Sequence, residues 1–271
     1  MSVPQPTHLL IFNEASGTSI TNYGTQGTAF GIGAGSSPTD YQWHQDGTTA
    51  NGFLDDDAAS YLDGKTKTGG NQPYINNGGA TPSSVLETIN AAIGFMVRGS
   101  NLTTGRAGLV CGGGVNYDVS IYVRAPSGGG DFDLQVRVET PSTYGNNYTI
   151  TGLSYNTEYR LAVSVEILGS EPKIQVRYKL DGNATVTPTA EQSGGTTWSA
   201  YNPYLNCDRT SGFTTYGGVD GKYHYFAYQR GGTAWTSTEL GNINSDPAGT
   251  ITGWPAGGGG TDPMLFGAQC L

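Results

Sequence analysis

Alternation with a period of two runs through this chain. Ile174, Val176, Tyr178 and Leu180 alternate with Gln175, Arg177, Lys179 and Asp181, as a strand with one buried and one wet face demands. Tyr159, Leu161, Val163, Val165 and Ile167 form a longer apolar row against Glu158, Arg160, Ser164 and Glu166. Tyr117, Val119, Ile121 and Val123 repeat the pattern, and Leu134, Val136 and Val138 follow after Ser127 and its glycines. Clusters of Gly, Asn, Pro and Ser, which accept turn dihedrals, separate these runs. Short strands spaced this way predict a sandwich or barrel.

One segment has helical spacing instead. Thr236 and Glu239 match a capping box, Leu240 and Ile243 fall on one face, and Asp246-Pro247 ends the run. The spacing predicts a helix of at most about three turns.

Composition agrees with an all-β chain. Gly contributes 43 of 271 residues and charged residues only 13%, about half the usual ~25%. Hydrophobic residues at 36%, with 17 Tyr, 8 Phe and 4 Trp, suffice for a core, so wholesale disorder is not expected. The longest apolar run, residues 91–97, falls far short of the ~18 that a membrane-spanning helix needs.

Net charge is −9, with only five lysines. A nucleic-acid partner requires clustered Lys and Arg, and none is evident in the sequence. Nucleic acid and membrane insertion are therefore set aside, and a neutral ligand is expected. The first residues carry no basic and apolar leader pattern. Cys111, Cys207 and Cys270 have no metal-ligand spacing and are read as reduced thiols. One domain is expected over residues 1–256. A glycine run at 257–260 and a tail to Leu271 follow it.

The order of segments resembles the laminin G-like, concanavalin A-like jelly roll. Residues 8–30 are similar to its opening strand, Gly turn and Gly-rich second strand. Residues 92–98 resemble the strand that opens the central sheet, and 156–165 the strand whose water-excluded Tyr packs the core. Residues 177–182 resemble a strand ending in an Asp-Gly turn, and 221–247 the closing strand with its short helix. The resemblance implies an all-β sandwich jelly roll of two antiparallel sheets, with one short helix near the C-terminus. That fold hosts lectins, polysaccharide lyases, hydrolases and adhesive modules, and does not choose among them.

Candidate chemistry narrows the choice. Retaining hydrolases need two carboxylates about 5–5.5 Å apart. Asp131 and Asp133 have alternate spacing, but no third acid stands at the family's offset, and they are read as a loop edge. His8, His44 and His224 lie in no lyase-like context. No catalytic residue and no cofactor are expected. A structural calcium near Asn13, Glu14 and Asp220 stays open, because Tyr223-His224-Tyr225 stands where many relatives carry an acid.

Aromatics give the stronger lead. Residues 196–209 gather Trp198, Tyr201, Asn202, Tyr204 and Asp208 around a proline. Two roles fit equally: an adaptable sugar-binding loop, or packing on the chain's own sheet or a neighbouring subunit. Met264, Leu265 and Phe266 give the tail the apolar residues of an assembly anchor. The resemblance and composition together suggest a non-enzymatic virion surface protein, a capsid decoration or tail adhesin made in the host cytoplasm. Its partners would be other virion proteins and copies of itself, with neutral glycans as ligand. A free extracellular lectin and a polysaccharide lyase or glycoside hydrolase are the alternatives.

Overall fold

The computed structural model describes residues 6–12, 19–27, 29–33, 41–44, 61–64, 74–76, 88–100, 106–111, 119–138, 147–168, 173–181, 203–205 and 219–245. Fifteen strands and one helix lie within them. The first six are β1 (His8–Leu10), β2 (Ser19–Ile20), β3 (Phe30–Gly33), β4 (Tyr41–His44), β5 (Tyr61–Gly64) and β6 (Tyr74–Asn76). The longer ones follow: β7 (Ile89–Ser100), β8 (Arg106–Cys111), β9 (Val119–Arg124), β10 (Phe132–Val138), β11 (Asn147–Leu153), β12 (Glu158–Leu168) and β13 (Lys173–Leu180). Then come β14 (Tyr204–Leu205), β15 (Val219–Arg230) and α1 (Ser237–Ser245).

The strands form two antiparallel sheets. The seven-stranded sheet runs β13-β12-β7-β15-β5-β4, with β1 also on β15. The eight-stranded sheet runs β11-β10-β9-β8-β14-β6-β3-β2. The expected two-sheet sandwich is what forms. Among the described residues no helix is long and apolar enough to cross a membrane.

The period-two rows meet between the sheets. Ile93 and Phe95 of β7, Leu161 and Val163 of β12, and Tyr223 and Phe226 of β15 face Ile121 and Val123 of β9 and Leu134 and Val136 of β10. Tyr159 departs from the water-excluded expectation. It is half-buried, packs on Phe95 and Phe132, and its hydroxyl accepts the Ser154 N–H at 2.9 Å. Its place at the start of β12 lets the ring cover the edge of the core while the hydroxyl fastens the preceding turn. That turn passes through Asn156 at φ 60°, a left-handed conformation asparagine tolerates better than most residues.

A second apolar layer lies on the other face of the seven-stranded sheet. Ala162, Ala92 and Ala227 stand side by side across β12, β7 and β15. Three small side chains in a row leave a trough. Trp235, Leu240 and Ile243, all fully buried, fill it together with Leu9, Ile11 and Tyr225. The capping box forms as expected: Glu239 N–H donates to Thr236 Oγ1 at 3.2 Å, and Thr236 N–H donates to Glu239 Oε2 at 2.7 Å.

Beside the alanine row lies a polar one, Ser164, Asn90 and Gln229. Asn90 Oδ1 accepts the Ser164 hydroxyl at 2.7 Å and the Trp235 N–H at 2.9 Å. Its Nδ2 donates to the Thr233 carbonyl at 3.0 Å and Gln229 Oε1 at 3.3 Å. One fully buried amide thus ties the connection between β15 and α1 to the sheet.

Candidate functional site

Alternation that buries one side of β9 and β10 points the other side outward. Ser120, Tyr122 and Arg124 of β9 stand opposite Arg137, Gln135 and Asp133 of β10. On β8, Arg106 and Gly108 hold the register positions opposite Arg124 and Tyr122, and on β11 Thr149 stands opposite Gln135. The result is a polar face in rows, with one aromatic at its centre. Tyr122 is fully buried yet lies outside the core between the sheets. Ser120, Asp133 and Gln135 are buried as well, Arg137 is half-buried, and Arg124 is exposed.

Hydrogen bonds organise this face. Arg124 Nη1 donates to Gln135 Oε1 at 3.3 Å. Asp133 Oδ2 accepts both the backbone N–H and the hydroxyl of Ser127, at 2.7 and 2.6 Å, closing the β9–β10 hairpin. Its other oxygen, Oδ1, is buried with no hydrogen-bond partner among the described residues. A buried acceptor left without a donor costs about 1–3 kcal/mol. Side-chain carboxylate, amide, guanidinium and phenol together offer the donors and acceptors that a polyhydroxylated ligand needs.

Asp131 holds a different turn. Its Oδ2 accepts the Tyr155 N–H at 2.8 Å, while its own N–H donates to the Leu153 carbonyl at 2.7 Å. The two acids with alternate spacing therefore each hold a turn. Asp133 is a buried strand residue rather than the loop edge its glycine-rich approach suggests.

A second polar group lies on the seven-stranded sheet. Glu158 of β12 and Lys222 of β15 flank Met96 of β7. His224 Nε2 donates to Glu158 Oε2 at 2.5 Å, and Lys222 Nζ lies 3.5 Å from Oε1. Burial pushes the Glu158 carboxyl up, but the bonds and charges of His224 and Lys222 outweigh it and hold the group below its ordinary range. Nearby, Asp181 Oδ2 accepts the Arg160 N–H at 2.7 Å, and Arg160 Nη1 donates to the Asn244 carbonyl at the end of α1 at 3.1 Å. Burial dominates at Asp181 and raises its carboxyl to about 6, with the Arg160 bond and charge opposing. Burial, and then the Asp181 charge, push the Tyr225 hydroxyl up.

Asp181 gives a signed expectation. The folded protein holds this proton more tightly than the unfolded chain, so stability rises as pH falls from about 7 through 6 toward 4. Glu158 acts oppositely, and its contribution is lost only as pH falls below the ordinary carboxylate range. Asp181→Asn keeps an acceptor for Arg160 N–H. It is expected to raise Tm at pH 7 by a few degrees, on the order of 1 kcal/mol after solvent screening, and by almost nothing at pH 3. Thermal melts at both pH values check this, and an equal shift at both would refute the assignment.

Of the residues singled out from sequence, Tyr204 lies on β14, with its backbone opposite Cys111 of β8. Trp198, Tyr201, Asn202 and Asp208 lie outside the described residues, as do Met264, Leu265 and Phe266, Asn13 and Glu14, and the glycine run and tail from 257 to 271. Among the described residues no group of three His, Cys, Asp or Glu is placed to hold a metal ion. The polar face of β9 and β10 was missed from sequence. Its signal was present: SIYVR and FDLQVRV place Tyr, Arg, Gln and Asp at the wet positions.

No family model matches the chain, and no curated protein sequence matches it. Solved structures do. The botulinum neurotoxin serotype D binding domain aligns at TM-score 0.54 and 8% identity, over 90% of this chain and 51% of that one. The Trypanosoma rangeli sialidase in complex with sialic acid aligns at 0.51 and 10%, over 90% and 33%. The carbohydrate-binding module CBM40 of the Ruminococcus gnavus IT-sialidase, bound to α2,3 sialyllactose, aligns at 0.47 and 12%, over 68% and 96%. This chain spans about half of the neurotoxin chain and a third of the sialidase. At such identities the likeness speaks to fold, and the expected jelly-roll sandwich stands.

Proposed function

We propose that this chain is a carbohydrate-binding jelly roll whose ligand lies on the outward face of β9 and β10. The observation that carries the reading is Asp133. One of its oxygens is locked by the Ser127 turn, and the other is buried without a donor among the described residues, in a polar face beside Gln135 and Arg124. A sugar hydroxyl supplies the missing donor, and neighbouring hydroxyls bond to the Gln135 amide and the Arg124 guanidinium. The sialidase and the neurotoxin binding domain support the reading as fold neighbours.

The role is binding rather than catalysis, because Asp131 and Asp133 are each engaged in holding a turn. A virion setting draws its support from the sequence resemblance and composition, and this reading does not depend on it.

A glycan array with the full chain tests the proposal, followed by calorimetric titration of the best ligand. Gln135→Ala is expected to weaken that ligand at least tenfold, about 1.4 kcal/mol, with an unchanged circular dichroism spectrum. Absence of binding to any glycan, or equal affinity of variant and parent, would overturn it.

A further inference from the structure

The two sheets end differently on one side of the sandwich. The short turn at 154–157 joins β11 to β12, so β11, the last strand of the eight-stranded sheet, and β13, the last of the seven-stranded sheet, share that side. A strand edge offers backbone N–H and C=O groups to any second strand, and proteins usually guard it with charge, proline or shortness. β13 is guarded, for it carries Lys173, Arg177 and Lys179. A two-fold axis centred on Val176, Arg177 or Tyr178 would set two of these cations directly opposite each other, which is destabilising. β11 carries no charge and no proline over its seven residues. Among the described residues it pairs with β10 alone. Its Thr149 and Thr151 are exposed, and Ile150 is half-buried against the core.

We infer that β11 is the joint of a homodimer, pairing antiparallel with the β11 of a second copy about a two-fold axis at Thr149. That register sets Thr149 against its own copy, Tyr148 against the partner's Ile150 and Asn147 against the partner's Thr151. Opposed residues then share a face, since Tyr148 and Ile150 lie on the core side and Thr149 and Thr151 on the outer side. Thr–Thr and aromatic–β-branched pairs are among the cross-strand contacts that stabilise a sheet, and two-fold symmetry makes every off-axis contact twice. No charge meets a like charge, so the strand is complementary to itself, as β13 is not. The register with β10 slips beyond Ile150, and Gly152 has φ 81°, which confines the joint to residues 147–151. Two eight-stranded sheets become one continuous sheet. Thr149 stands opposite Gln135, so three strand spacings set the two Gln135 rows about 14 Å apart on one surface. The dimer does not depend on the glycan reading, but it would make a sugar-binding face bivalent.

Sedimentation equilibrium on the full chain tests the inference. The parent is expected to reach a dimer of twice its 28.4 kDa mass at micromolar concentration. Thr149→Lys and Thr149→Glu should each keep the parent's circular dichroism spectrum and weaken the dimer at least tenfold, because each places a like pair on the axis. An equimolar mixture of the two should restore the dimer, because opposite charges then meet there. Thr149→Cys, which keeps the side chain small, should cross-link between copies on oxidation beyond the level of the parent, whose own three cysteines set the background. A parent that stays monomeric, a dimer indifferent to both charges, a mixture that stays monomeric, or cross-linking no greater than the parent's would overturn the joint at β11.

Discussion

Replacing Asn90 with Ala will cost this protein about 3 kcal/mol and lower Tm by roughly 6–12 °C. The side chain is fully buried and makes four hydrogen bonds, to Ser164, Gln229, Thr233 and Trp235. Alanine leaves the Trp235 N–H and the Thr233 carbonyl without this partner, in a place that water does not reach easily. Each such group costs about 1–3 kcal/mol, partly recovered by relaxation. The damage will be local before it is global. The connection from β15 and helix α1 should lose hydrogen-exchange protection, since Trp235, Leu240 and Ile243 pack through that connection. Ser164→Ala, which removes one donor only, should cost about 1 kcal/mol. Chemical denaturation and exchange measured on both variants decide the matter. A loss below 1 kcal/mol for Asn90→Ala would mean that apolar packing alone holds the helix down.

Gly221→Ala should be comparably severe for a different reason. A Cβ at Gly221 would lie 2.0 Å from the Met96 carbonyl oxygen and 3.1 Å from its carbon. These are backbone atoms of the central strand β7, so relief requires a strand to shift. The register between β7 and β15 already slips here, from Asp220 opposite Gly99 to Gly221 opposite Val97. Overpacking of this kind typically costs 1–3 kcal/mol, and about 3 kcal/mol is expected where no side chain can yield. Gly99→Ala is the matched control. It sits at the same irregularity but has nothing within 4 Å, and should stay within about 0.5 kcal/mol of the parent. Similar melting temperatures for the two variants would show that the close approach at Gly221 relaxes freely.

How far the sequence carried the reading depends on the range of the physics involved. Alternation is local, so β9, β10, β12 and β13 could be read residue by residue, as could the Thr236–Glu239 capping box and the buried pair Leu240 and Ile243. The candidate site was harder. Aromatic density drew attention to Trp198, Tyr201, Asn202, Tyr204 and Asp208, of which only Tyr204 falls among the described residues. The face built by Tyr122, Arg124, Asp133, Gln135 and Arg137 passed as ordinary wet positions, because a wet face and a ligand face share one alternation.

The amino-acid sequence by itself determined that the chain would be strands with one short helix, and which side of each strand would face the core. Periodicity and capping act within a few residues, and those requirements are met wherever a strand or helix lands. Only the tertiary structure decided which strands became neighbours. Registry between β8, β9 and β10 is what sets Arg106 against Arg124 and Tyr122 against Gln135. Registry among β12, β7 and β15 aligns three alanines into the trough that receives α1. No spacing along one strand contains these pairings, because a one-residue slip of either partner would send every side chain to the opposite face.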